Sequence, residues 1–171
     1  MAGGDHRSRD RRSPIGRWSR QEIEEAFQHY QKAALEAGKT GDWNTWADSF
    51  TEDCTFVEHC LGTFGGREAI RRFWNEYMKT YPACEVKYYP AEWYSIDEER
   101  GWVVCQFWNR MSDPGDGSLH QAANLSVLKY AGNGKWCYEE DAYNMKNMSR
   151  MVKNWEQVRA KLASEQGQQP V

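Results

Sequence analysis

From Ser19 onward the apolar positions follow a helical spacing, then an alternating one, then a helical one again. Ile23, Ala26, Phe27, Tyr30, Ala33, Ala34 and Ala37 lie on one side of a helix. Ser19-Arg20-Gln21-Glu22 supplies a capping box at its start, and Gly38 supplies a stop. Trp43, Trp46, Ala47 and Phe50 predict a second, short helix from about Asp42, closed by Thr51-Glu52-Asp53. Cys54 to Glu58 reads as a short strand. Gly62, Gly65 and Gly66 read as a shaped loop without the GxGxxG or Lys-Ser/Thr pattern of a phosphate cradle. Arg67 opens a third helix whose stripe is Ile70, Phe73, Trp74 and Tyr77, and Tyr81-Pro82 ends it.

Beyond Pro82 the period becomes two. Cys84, Val86 and Tyr88 alternate with Glu85 and Lys87, and Trp93 to Ile96 is a further strand. Asp97 to Gly101 turns the chain into a long strand from Trp102 to Met111. Leu119 to Tyr130 and Lys135 to Asn144 form a hairpin around Asn133-Gly134. Met148, Met151, Val152, Trp155, Val158 and Leu162 predict a last helix from about Asn147 to Ala163. Helices grouped before a sheet give an α+β layer fold.

The second hairpin strand carries Glu139, Glu140 and Asp141 in a row. Strand side chains alternate between faces. Either Glu139 and Asp141 point inward or Glu140 does, and isolated charges are costly to bury. At least one of these acids therefore lines a cavity or has a partner. An edge strand whose acids pair with surface Arg and Lys is the competing explanation.

Composition narrows the function. The 171 residues suffice for one domain with a core, over 19–164, between a basic tail (1–18) and a frayed end (165–171). The net charge of -3 argues against a general nucleic-acid binder. No apolar run is long enough to span a membrane and none follows the N-terminus, so neither a membrane partner nor a secretory signal is expected. Five cysteines without metal-site spacing are read as free thiols in a reducing cytoplasm. Asp113-Pro114-Gly115-Asp116-Gly117 lacks the later ligands of a calcium loop. Nine Trp and nine Tyr fill a core or line an apolar pocket.

Four segments add a resemblance: Gly41-Asp42-Trp43, Phe50 to Phe56 (Phe-Thr-Glu-Asp-Cys-Thr-Phe), Gly66 to Ile70 (Gly-Arg-Glu-Ala-Ile), and Gly134-Lys135-Trp136. Their order and spacing resemble the nuclear-transport-factor-2-like superfamily and its SnoaL-like branch, the fold of polyketide cyclases, ketosteroid isomerase, limonene-epoxide hydrolase and scytalone dehydratase. The resemblance implies a cone: a strongly curved antiparallel sheet packed against N-terminal helices, here with an additional C-terminal helix. It implies an apolar pocket inside the cone and a homodimer joined through sheet faces. Phe56, Trp74, Phe107, Asn109, Glu139 and Tyr143 are the expected pocket residues.

Carry-over of functional residues is uneven. The general-base Asp of ketosteroid isomerase falls on His59, a sensible base near neutral pH. Its oxyanion-hole Asp falls on Asn124, or on Ser126 if the gap moves, and its helix-one Tyr near Tyr30 or Gln31. The Arg-x-Asp pair of limonene-epoxide hydrolase is missing from Phe107 to Met111, but its second Asp matches Asp141, an alignment that puts Glu139, Asp141 and Tyr143 on the cavity side. The expectation is a cofactor-free and metal-free acid–base enzyme acting on a small apolar oxygenated molecule. His59 would move a proton, Asp141 would orient it or activate water, and Asn124 and Tyr30 would stabilise oxygen charge. Two other readings stay open: His59 as a loop or interface residue, and the whole chain as a non-catalytic ligand-binding or dimeric interaction module.

Overall fold

The computed structural model describes residues 17–167. Most of the Arg-rich tail, from Met1 to Gly16, and the last residues from Gln168 lie outside the described residues. Four helices pack with one curled, half-barrel sheet. In chain order the elements are α1 (Arg20–Thr40), α2 (Asn44–Ala47), β1 (Phe50–Glu58), β2 (Gly62–Gly65), α3 (Arg67–Tyr77), β3 (Val86–Tyr88), β4 (Ala91–Asp97), β5 (Trp102–Met111), β6 (Gln121–Gly132), β7 (Lys135–Tyr143) and α4 (Met145–Gly167). The α+β cone and its additional C-terminal helix are present as expected.

Ser19 caps α1 by accepting from the Glu22 amide at 3.1 Å. The Glu22 carboxylate does not return to the cap as a capping box would have it. It accepts the Tyr130 hydroxyl at 2.9 Å and ties the helix start to β6. The helix also runs past Gly38 and stops at Gly41, whose φ of 79° suits glycine. Gly38 serves packing instead. A Cβ there would fall 2.3 Å from the Lys87 carbonyl oxygen on β3. Gly38→Ala is therefore expected to push α1 off the sheet edge and cost about 1–3 kcal/mol, read as a lower denaturation midpoint. An unchanged midpoint would show that the helix yields freely.

The short helix predicted from Asp42 to Asp53 is cut down to Asn44–Ala47, and the strand after it begins at Phe50. Tertiary pairing explains the shift. Phe50 stands opposite Trp136 on β7, so sheet pairing takes residues that a helical stripe would otherwise claim. The glycine-rich loop contains a second strand, β2, antiparallel to β1.

The sheet runs β2-β1-β7-β6-β5-β3, with β4 also pairing β5. Every pairing is antiparallel except β1 with β7, which are parallel. An aromatic core fills the narrow end of the cone: Phe27 and Tyr30 of α1 lie against Phe107 and Trp136. α4 packs against β6, and its Trp155 indole donates to the Ser112 carbonyl at 2.7 Å. No helix among the described residues is long and apolar enough to cross a membrane.

Candidate active site

A cavity of about 370 Å³ opens between the sheet, α1, α3 and α4. Aromatic side chains form most of its wall, including Trp43, Trp46, Phe56, Trp74, Tyr89 and Phe107. Met145, Met148 and Met151 of α4 cover one side. Four carboxyl groups interrupt this apolar surface: Glu58 on β1, Glu139 and Asp141 on β7, and, on an exposed turn of α4, Glu156.

A register shift in β7 sets the direction of the acids. Lys129 faces Tyr138 but Tyr130 faces Trp136, so Cys137 is an extra residue in the β6–β7 ladder. The bulge lets Trp136 point into the core and still turns Glu139, Asp141 and Tyr143 to the same interior. Glu140 faces outward. Of the two arrangements the sequence left open, the chain adopts the one with Glu139 and Asp141 inside.

His59 is the residue that the structure does not bring in. Phe56 and Glu58 occupy the inward phase of β1, so the next side chain leaves the cavity. The His59 side chain is 48% exposed, and its Nε2 lies 2.8 Å from Glu140 Oε1 on the outer surface. Only its backbone amide approaches the site residue, donating to the Asp141 carbonyl at 3.1 Å. The imagined His59–Asp141 pair is therefore replaced by a backbone bond. The remaining candidates, Tyr30, Asn124, Asp141, Phe56, Trp74, Phe107, Asn109, Glu139 and Tyr143, all line the cavity. Arg110 is engaged with Gln121 at 2.8 Å and does not pair with Asp141.

Hydrogen bonds fix two of the acids differently. The Tyr30 hydroxyl donates to Glu139 Oε1 at 2.7 Å. The Asn124 amide donates to Ser126 Oγ at 3.2 Å, and the Ser126 hydroxyl donates to Asp141 Oδ1 in a short bond. Glu139 is 1% exposed, and its Oε2 has no partner among the described residues. Burial pushes its carboxyl well above the usual range, and the neighbouring Asp141 charge adds to the rise. Burial also pushes Asp141 up, to about 6, with the Ser126 and Asn124 hydrogen bonds opposing and Glu58 reinforcing. The Tyr30 hydroxyl is raised by burial and by both β7 acids, so it stays a donor at neutral pH.

Glu58 escaped the sequence reading. It is 2% exposed, stands in register with Asp141 across the parallel β1–β7 pair, and neither carboxyl oxygen has a hydrogen-bond partner among the described residues. Burial raises its carboxyl; the Tyr143 hydroxyl and the Cys60 and Leu61 amides lie near enough to oppose the rise, but none of them meets hydrogen-bond geometry with it. The signal was available in the alternation: a strand that turns Phe56 inward turns Glu58 inward too.

Two carboxyls on one strand face thus differ in protonation. Asp141, raised to about 6, is fit to accept a proton near neutral pH, whereas Glu139, raised by burial and by the Asp141 charge, is the better placed of the two to hold a proton and donate it. Among the described residues no three His, Cys, Asp or Glu side chains converge closely enough to hold a metal ion.

Comparison with known proteins gives a consistent picture. The family profile described as a SnoaL-like domain matches residues 27–139. No curated protein matches the sequence significantly. An LEH-like epoxide hydrolase from M. tuberculosis superposes with a TM-score of 0.63 at 11% identity, covering 84% of this chain and 93% of that one. A putative isomerase from Bacillus subtilis gives 0.60 at 15% identity, with 78% and 94% covered. A putative SnoaL-like polyketide cyclase from Shewanella denitrificans gives 0.57 at 17%, with 77% and 97% covered. At these identities the likeness is one of fold.

Proposed function

The chain belongs to the SnoaL-like family, and we propose that it is a cofactor-free acid–base enzyme for a small, largely apolar, oxygenated molecule. The observation that carries this reading is the pair Glu139 and Asp141: neighbouring acids on one cavity wall, held by different partners, with Glu139 Oε2 left without one among the described residues. Asp141 takes a proton from carbon or from water. Glu139, its Oε1 occupied by the Tyr30 hydroxyl, gives its Oε2 proton to an oxygen of the ligand. Asn124 and Ser126 hold Asp141 in place. Proton transfer by one positioned group supplies roughly 10²–10⁴-fold, and the aromatic wall supplies orientation and exclusion of water. Isomerisation, dehydration, cyclisation and epoxide opening would all suit this pair. The relatives' printed descriptions as epoxide hydrolase, isomerase and cyclase fall within the same chemistry.

The test is turnover. Epoxides and enolisable ketones small enough for the cavity are incubated with the protein and analysed by mass spectrometry. Conversion of at least one class is expected. Binding without conversion across the panel would favour the second reading, a non-catalytic binder, which the aromatic wall supports equally well.

The same reading includes a homodimer. Val104 and Leu125 project from the outer sheet face with 37% and 51% of their surface exposed, and Trp93 stands beside them at 45%. Such a patch suits a second copy of the sheet. Light scattering is expected to give twice the chain mass, and Leu125→Glu to halve it. A monomeric wild-type protein would refute the dimer. The five free thiols accord with a reducing compartment, which we take to be the cytoplasm.

A further inference from the structure

The cavity wall is rich in carboxyl groups and poor in basic ones. Glu58, Glu139 and Asp141 lie along it, and the only basic residue among those lining it is Lys153, on an exposed turn of α4 beside Glu156 at the rim. Glu58 is the unexplained member. Asp141 has Ser126, and Glu139 has Tyr30, but both Glu58 oxygens are buried with no donor in hydrogen-bond geometry among the described residues, the Tyr143 hydroxyl being near but not bonded. Buried polar groups are nearly always paired, and an unpaired one calls for an account. The proton transfer assigned to Glu139 and Asp141 does not use Glu58.

The surroundings of Glu58 are aromatic. Tyr77 and Tyr143 both feel its charge. Trp74 stands 5.9 Å from Tyr77 and 5.7 Å from Phe56, ring centre to ring centre. Glu58 and Asp141 are directly paired positions on adjacent strands, which places their Cα atoms about 5 Å apart. One small cation at Glu58 would supply its missing partner while leaving Asp141 to its own, and the ring faces nearby would attract it. A metal ion fits poorly, because no three ligating side chains converge among the described residues. An ammonium needs no such convergence. It offers several donors, and its carbon skeleton would occupy the apolar remainder of the cavity.

We infer that the cavity takes an apolar molecule bearing a protonated amine, with the ammonium seated on Glu58 against Trp74, Tyr77 and Tyr143, so that Asp141 beside it stays free to act as the base. This deepens the proposed function and rests on its claim that the cavity is the ligand site. It adds a substrate class: oxygenated amines in place of neutral terpene-like or ketide-like molecules.

A pair of matched probes tests it by calorimetry at pH 7. 2-Aminotetralin is protonated there, and 2-tetralol has the same skeleton without the charge. The amine is expected to bind at least about tenfold more tightly, the usual weight of a hydrogen bond to a charged group. Glu58→Gln is expected to bring the two affinities within about threefold. The comparison on wild-type protein stands even if that variant folds poorly. Equal or tighter binding of the alcohol would overturn the amine class while leaving the acid–base reading intact. Binding of neither probe would overturn both. A preference that survives in well-folded Glu58→Gln would overturn the seat assigned to the ammonium.

Discussion

Asp141→Asn is expected to lower turnover of any converted substrate by roughly 10²–10⁴-fold while the protein remains folded. The amide keeps the shape of the carboxyl, and its carbonyl oxygen can still accept the Ser126 hydroxyl, so the local bonds that hold the strand survive. What disappears is proton affinity. Asp141 is raised to about 6 by its burial, which makes it a better base than an ordinary carboxylate yet leaves it mostly ionised at pH 7. An amide has neither property. The pH profile should report the same group: kcat/KM of the wild type rises with pH through about 6, because the base must first lose its proton. A variant that keeps more than about a tenth of wild-type turnover would remove Asp141 from the chemistry.

Stability is expected to move in the opposite sense, falling as pH rises from 4 to 7. Asp141 holds its proton up to about 6 in the folded chain but only to about 3.8 when unfolded. Within that window the native state binds more protons than the unfolded state, so each step up in pH favours unfolding. The loss amounts to roughly 3 kcal/mol for Asp141 alone. For a chain of this length that lowers the melting temperature by on the order of 6–12 °C. Glu58 and Glu139 are raised as well and act in the same direction. Surface carboxyls such as Asp48, held down by Arg71, act oppositely, but only at lower pH, where they take up protons. Melting curves at pH 5 and pH 8 check this. A higher midpoint at pH 5 is expected, with a shallower slope in Asp141→Asn. A higher midpoint at pH 8 would mean that the cavity acids are not raised. The asparagine variant is therefore expected to recover stability at neutral pH.

The sequence made the layers legible wherever the period was clean. Trp102–Met111 was read to the residue, and the helices at both ends were read to within a few residues. The misreadings arose where a distant partner decided. Phe50 has helical spacing from Trp46, but Trp136, far along the chain, claims it for β1. Gly38 looks like a helix stop because glycine often is one; its actual reason, the Lys87 carbonyl, is invisible without the fold. The site divides in the same way. Glu139, Asp141 and Tyr143 followed from alternation once one face was chosen, but the extra residue at Cys137, which allows Trp136 to share that face, leaves no mark in the sequence. His59 shows the opposite failure. Alignment to a relative's base singled it out, although strand alternation from Phe56 gave the inward place to Glu58. Imidazole chemistry was given more weight than geometry, and the geometry sends the ring to Glu140.

The most direct measurement is a carbon-13 NMR titration of the side-chain carboxyl carbons, assigned with Asp141→Asn and Glu139→Gln. The expected result is a first proton leaving the β7 pair near pH 6, mainly from Asp141, with Glu139 the later of the two to titrate. Both carboxyls titrating together in the ordinary range near 4 would contradict the division into one base and one acid, and the proposed chemistry with it.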